Sequence, residues 1–383
     1  MDSQPDFLAL RSKWPLRLHD PLTAGHDDAD RYRPPEGLKE AVDVAMMLGE
    51  PLVLTGAPGS GKTQSAKWLA QVLGAEKLLR FDVKSTTLGI DLLYAFDDVA
   101  RFRDSAASGR DAEAESKPLV RYLRFNALGE GILRAAGPDS VLLTAAGEEL
   151  DGRAIIAKYR DLLDAAFGRG WSLDRETVRV ADLLPDEISL RMPDDDGRQV
   201  RVVLIDELDK APRDTPNDLL VEVETMTFLI AELGLRVKTD RSVRPVVIIT
   251  TNAEKPLPEP FLRRCAFFDV PPVRGEALVA VLKGALRHRE ASAAFADEIA
   301  SVAQLLHDSD DALRRKPGTA EILAWSEVLM RFGASGGLRE WASAGPTWLG
   351  HSLTALLKHP ADQKTGQTII LKWASGDQRA RNG

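Results

Sequence analysis

Residues 56–63 read Gly56-Ala57-Pro58-Gly59-Ser60-Gly61-Lys62-Thr63. The octet fits G-x-x-x-x-G-K-[ST] at every fixed position, and its surroundings constrain the fold more than any other stretch of the chain. An apolar run, Pro51 to Thr55, flows straight into it, and Ala66, Leu69, Ala70 and Leu73 recur on one helical face after it. A run apolar at every position is buried on both faces, as in a parallel strand between layers of helix. Strand, glycine-rich turn and helix in that order make a nest of inward-pointing N–H groups, backed by the positive end of the helix. Such a nest cradles phosphate. Lys62 can reach the β- and γ-phosphates of a nucleotide, Thr63 offers a hydroxyl to Mg²⁺, and Gln64 continues the nucleotide-binding stretch.

The pattern around this unit alternates between strand and helix. Leu38, Ala41, Val42, Ala45 and Leu48 predict a helix over Glu36–Leu48, stopped by Gly49. Further strands are expected at Leu78–Val83, Val202–Asp206, Val246–Thr251 and Ala266–Val270, with helices at Ile90–Phe102 and Asn217–Phe228. That makes a parallel five-stranded sheet flanked by helices, an α/β fold of the P-loop NTPase type. From Pro271-Pro272 onward the periodicity is helical throughout, in Glu276–Leu286, Ala293–His307, Thr319–Arg331 and Leu353–Lys358. The change of pattern marks a domain boundary. The expected organisation is an extended, proline-punctuated segment over 1–35, a nucleotide-binding domain over 36–272 and an all-α lid with a tail over 273–383. Residues 104–200 read as a helical and hairpin insertion into the sheet domain.

Val202-Val203-Leu204-Ile205 delivers Asp206 and Glu207 to a strand end. In a parallel sheet that end shares an edge with the phosphate loop. Asp206 is placed to hold Mg²⁺ and Glu207 to polarise the attacking water. Asp209 and Lys210 read as a structural turn or a surface pair. Asn252 ends the fourth strand, where its amide can bridge the water and the γ-phosphate; a merely polar strand tip is the plainer alternative. Arg263 and Arg264 close a short helix just before the fifth strand. They suit a solvated pair capping the helix, or a guanidinium supplied to a neighbour's nucleotide.

The 383 residues include 50 Lys and Arg against 58 Asp and Glu, a net charge of -8. That balance disfavours a protein that coats nucleic acid. Arg121-Tyr122-Leu123-Arg124-Phe125 is the one basic–aromatic stretch that would suit nucleic acid, and it also reads as a half-buried strand. A single cysteine, Cys265, excludes an internal disulfide framework, and six scattered histidines show no metal-ligand spacing. No run approaches the ~18 apolar residues of a membrane helix. Together with the lone cysteine and an N-terminus without a signal-peptide pattern, this leads to an expected cytoplasmic location.

The phosphate loop, VVLIDE, TTN and FLRRC, in this order and followed by helices, resemble an AAA+ ATPase. Asp82-Val83-Lys84-Ser85-Thr86-Thr87 followed by Asp91-Leu92-Leu93-Tyr94, Ile205 to Pro212 with Asn217-Asp218-Leu219-Leu220, and Thr251 to Pro258 running on to Phe261-Leu262-Arg263-Arg264-Cys265 are similar to the MoxR-like branch. The likeness spans roughly 30–103 and 200–330. It implies a ring, usually a hexamer, that binds ATP and Mg²⁺ at subunit interfaces and remodels or matures a partner carrying a von Willebrand factor A domain. It assigns Asn252 as the residue that senses the γ-phosphate, and Arg264 as the arginine acting in trans, with Arg263 second. Glu321 falls about where the resemblance puts the usual sensing arginine of the lid; either Arg315 or Lys316 takes its place at the nucleotide, or the sensor is missing and 314–316 is a solvated basic turn. The alternative is the motor of a nucleic-acid-directed defence or restriction system.

Overall fold

The computed structural model describes residues 32–75, 77–107, 117–184, 200–239, 243–286, 292–309 and 312–376. Most of the expected lead-in segment (1–31), the polar break at 193–197 and the last residues of the tail therefore lie outside the described part. Contacts divide the chain into two compact units. One holds Glu36–Thr55 and Ala66–Asp269; the other holds Gly56–Ser65 together with the described residues of 32–35 and from Val270 onward.

The first unit begins with α1 (Leu38–Leu48), which buries Leu38, Val42 and Ala45 on one face. Gly49 closes it in the left-handed region (φ 66°). Its N–H donates to Met46 O and the next N–H, of Glu50, to Ala45 O, so two carbonyls of the last turn are satisfied. Then come β1 (Leu52–Thr55), α2 (Lys62–Val72, of which only the part from Ala66 on belongs to this unit), β2 (Leu78–Asp82), β3 (Tyr94–Phe96), α3 (Asp98–Ala107), β4 (Leu123–Phe125), α4 (Ala127–Ala136), β5 (Leu143–Thr144), α5 (Arg153–Lys158) and α6 (Arg160–Phe167). The unit ends with β6 (Val202–Asp206), α7 (Thr215–Asp218), α8 (Leu220–Thr225), β7 (Thr227–Ile230), β8 (Leu235–Lys238), β9 (Val246–Thr250), α9 (Glu259–Leu262) and β10 (Ala266–Asp269).

Five strands form one sheet in the order β10-β1-β9-β6-β2. Every pairing is parallel: Leu52 lies opposite Ala266 and Ile248, and Val202 opposite Val246 and Leu78. The two most apolar strands, β1 and β6, are buried along their whole length. The five-stranded parallel α/β sheet expected from sequence is thus present. Helix α1 packs on β1 and β10, and α4 on β2 and β6. Close approach requires glycine in α4: a Cβ at Gly131 would stand 2.5 Å from Val203 Cγ2, and one at Gly129 would run into the Leu93 carbonyl.

Two helix expectations are corrected. Residues 90–102 form a 3₁₀ turn (Gly89–Leu92), then β3, then α3, because Tyr94–Phe96 pairs antiparallel with β4. Residues 217–228 break at Leu219 and at Met226 (φ 49°), after which β7 pairs antiparallel with β8, itself paired with β5. The stretch 117–184, inside the region set apart by sequence as an insertion, contributes Leu128, Ile132, Leu142, Leu163 and Val180 to the same core as Val203 and Ile249 of the sheet.

The second unit adds α10 (Gly275–Ala285), α11 (Ala293–Asp308), α12 (Thr319–Arg331), α13 (Leu338–Ala344), α14 (Pro346–Leu356) and α15 (Pro360–Ala374) around a core of Leu282, Phe295, Ile299, Trp325, Leu353 and Ile370. Buried Trp325 donates through Nε1 to Ser352 Oγ (3.0 Å), which donates in turn to Leu349 O. The fourth expected helix runs earlier than the sequence pattern placed it, as α14. Helices α13 and α15 leave little apolar periodicity to read, and Gly366 sits at the centre of α15 where a Cβ would strike Leu357. Among the described residues no helix is long and apolar enough to cross a membrane.

Candidate functional site

The phosphate-loop residues belong to the second unit and the acidic turn to the first. In the loop, Gly56, Gly59 and Gly61 take φ values of 134°, 79° and 95°. Only glycine enters this region without strain, so the octet's fixed glycines are where the backbone needs them. At Gly56 space is short as well, because a Cβ would meet Val270 O at 2.6 Å. Ala57, Pro58 and Gly59 are exposed. Ser60 is buried, and its hydroxyl has no hydrogen-bond partner among the described residues. Lys62 is 6% exposed and its ammonium donates to Gly56 O (2.7 Å) and Ala57 O (3.1 Å). Thr63 and Gln64 lie half-buried on the first turn of α2. Buried donors around a glycine-shaped bend have the chemistry that suits a polyanion such as a nucleotide phosphate.

Tyr32 donates to or accepts from Ser65 Oγ (2.6 Å), with its ring against Gly61. Burial pushes its phenol up from the ordinary value. The start of α12 also lies against the loop, since a Cβ at Gly318 would come within 2.8 Å of Pro58 O. Glu321 Oε2 accepts from the Gly318 N–H (3.2 Å) and Oε1 pairs with Arg315 (3.3 Å). Asp362, 2% exposed, accepts from the N–H groups of Arg314 and Arg315, and so fixes the backbone of the basic turn. Lys316 follows in that turn, half-buried.

The acidic turn is more tightly specified. Asp206 is 4% exposed at the end of β6. Its Oδ1 accepts from Thr250 Oγ1 (2.6 Å) and its Oδ2 pairs with Arg80 (2.9 Å). Glu207 has φ 61°, the left-handed region that a side chain rarely adopts, and its N–H donates to Thr250 Oγ1 (2.8 Å). The Glu207 carboxylate accepts from Asn252 Nδ2 (3.3 Å) and pairs with Lys210, whose ammonium it holds above the usual range. Asp209, 3% exposed, accepts from the N–H groups of Asn252 (3.1 Å) and Glu254 (3.0 Å). The structure therefore brings Asp206, Glu207 and Asn252 into one network at neighbouring strand ends. Asp209 is the buried anchor between the two loops.

Arg263 and Arg264 follow α9 and are exposed. Arg264 pairs with Glu224 (3.0 Å) and donates to Pro260 O (3.1 Å), as a residue closing a helix does. Cys265 donates to Phe261 O (3.3 Å), and burial pushes its thiol up to about 12, so it has no thiolate to offer near neutral pH. Tyr122 is buried and donates to Asp104, and Phe125 packs against the sheet core. The aromatic rings of the basic–aromatic stretch thus pack toward the core, Tyr122 buried and Phe125 half-buried, as in a half-buried strand.

Sequence reasoning did not assign Arg80 and Thr250 to this network. Each carried a faint signal, Arg80 as a polar residue within a mostly apolar strand and Thr250 as a polar strand end, but their target lies on a strand distant in sequence.

No family model matches the chain, and no curated protein does. Among solved structures, a crystal structure of NtrX from Brucella abortus aligns with TM-score 0.40 and 14% identity, over 88% of this chain. The chain spans 60% of the length of that NtrX chain.

Proposed function

We propose that the protein is an ATP hydrolase of the MoxR-like AAA+ type, working as a ring, with six subunits as the expected number. The observation that carries this reading is the acidic turn, in which a strained Glu207 is held by Asn252 while Asp206 is fixed beside it. A carboxylate that only capped a strand would need neither the strained backbone nor partners from a second strand.

In this reading Gly56–Gly61 and Lys62 bind the phosphates, with Gln64 and Lys316 at the edges of the nucleotide. Thr63 and Asp206 hold Mg²⁺, which when bound neutralises charge on the transferring phosphoryl group. Glu207 orients the water and Asn252 keeps that carboxylate aimed. Arg264, exposed and on a long stem, serves a neighbour's nucleotide, with Arg263 as the second candidate. The partner class, a protein with a von Willebrand factor A domain, follows from the resemblance carried by residues 82–87, 91–94, 205–212, 217–220, 251–258 and 261–265.

ATP turnover by the wild type and by Glu207→Gln tests the reading. The variant should bind ATP and hydrolyse it far more slowly; wild-type turnover in Glu207→Gln refutes the assignment. The same variant, trapped with ATP, is the bait with which the partner class is checked.

A further inference from the structure

We propose that Thr250 is the positioning residue of the acidic turn, its single hydroxyl setting both Asp206 and Glu207. The inference rests on the ATPase reading above. Thr250 is the last residue of β9 and is fully buried. A hydroxyl has one proton to give and lone pairs to accept with. Here the proton goes to Asp206 Oδ1 (2.6 Å) and a lone pair takes the Glu207 N–H (2.8 Å). That N–H bond supports Glu207 where its φ of 61° is unfavourable, and so sets the direction in which its carboxylate leaves the strand.

Asn252, two residues past the end of β9, reaches the carboxylate of the same Glu207 (3.3 Å). The last residue of β9 and the loop that follows it thus hold Glu207 at its backbone through Thr250 and at its side chain through Asn252. Arg80 fixes the other oxygen of Asp206 (2.9 Å), so the carboxylate has a partner on each side. Threonine suits the task because its branched Cβ restricts χ1, which keeps the hydroxyl on its two partners. The metal-holding and water-orienting carboxylates are therefore coupled through one atom, and a shift of the β9 end displaces both.

The test compares Thr250→Val, which keeps the shape and removes the hydroxyl, with Thr250→Ser, which keeps the hydroxyl. Steady-state ATP hydrolysis and amide hydrogen exchange at Glu207 are read for both. Thr250→Val should lower kcat by about 10²-fold, the scale of a misplaced reacting group, with KM for ATP little changed. Exchange at Glu207 should quicken, and Thr250→Ser should recover most of both effects. Unchanged kcat in Thr250→Val, or a Thr250→Ser as slow as Thr250→Val, overturns the proposal. If Thr250→Val does not fold, Thr250→Ser decides alone: slow Glu207 exchange and near-normal kcat support it, and loss of both refutes it. A wild type that hydrolyses no ATP sinks the ATPase reading instead, and the Glu207 exchange comparison still judges whether Thr250 holds the turn.

Discussion

The carboxylates at 206–209 and the guanidinium groups at 263–264 both adjoin apolar strands of the same sheet, yet they are built in opposite ways. Asp206 and Asp209 are almost wholly buried; Asp206 has a partner on each oxygen, and Asp209 takes two backbone N–H groups of the 252–254 loop on one oxygen. Arg264 is about half exposed and pairs with one exposed glutamate. A group that must meet a reacting atom within its own subunit gains from being fixed in advance. A group destined for another molecule gains from reach, and a surface pair of this kind costs little to break.

The largest test of that contrast is chemical. Glu207→Gln should lower kcat by about 10²–10⁴-fold, the usual range for removing a group that works on the attacking water. Its unfolding free energy should stay near wild type, because the amide can still accept from Asn252. Next is the anchor. Asp209→Ala removes the acceptor of two backbone N–H groups and should cost about 2–4 kcal/mol in denaturant unfolding, by the scale of buried hydrogen bonds to a charged group. A change near zero would show that the turn is held by other means.

The smallest effect on stability belongs to Arg264→Ala, which loses an exposed ion pair worth under about 1 kcal/mol. Its effect on turnover should still be large, and curable in trans. Mixing it with Lys62→Ala, which supplies Arg264 but no working phosphate loop, should restore activity. Failure at every mixing ratio would place the arginine outside the mechanism and erase the functional side of the contrast.

What the sequence revealed follows the same division. The phosphate loop, β1 and β6 were legible because their signals are local: fixed glycines, and runs apolar at each position. The ribbon of β3 and β4 was not, since Ile90, Leu92 and Leu93 fit a helix equally well and only Leu123–Phe125, some thirty residues on, turns Tyr94–Phe96 into a strand. Asp209 showed nothing locally to distinguish it from its neighbour Lys210, although one is an anchor and the other an exposed partner of Glu207. Arg80 and Thr250 were hidden for the same reason. Strand patterns reveal which face is buried, but the partner that a buried polar group meets is decided by strand order.

Glu207 occupies a backbone conformation in which glycine is at ease and glutamate is not. Substitution there need not trade fold against chemistry in the usual direction. Glu207→Gly should raise the melting temperature while abolishing hydrolysis, so a screen for thermal robustness alone would favour inactive protein at this position. Improving this chain by stability selection therefore requires an activity readout at residue 207.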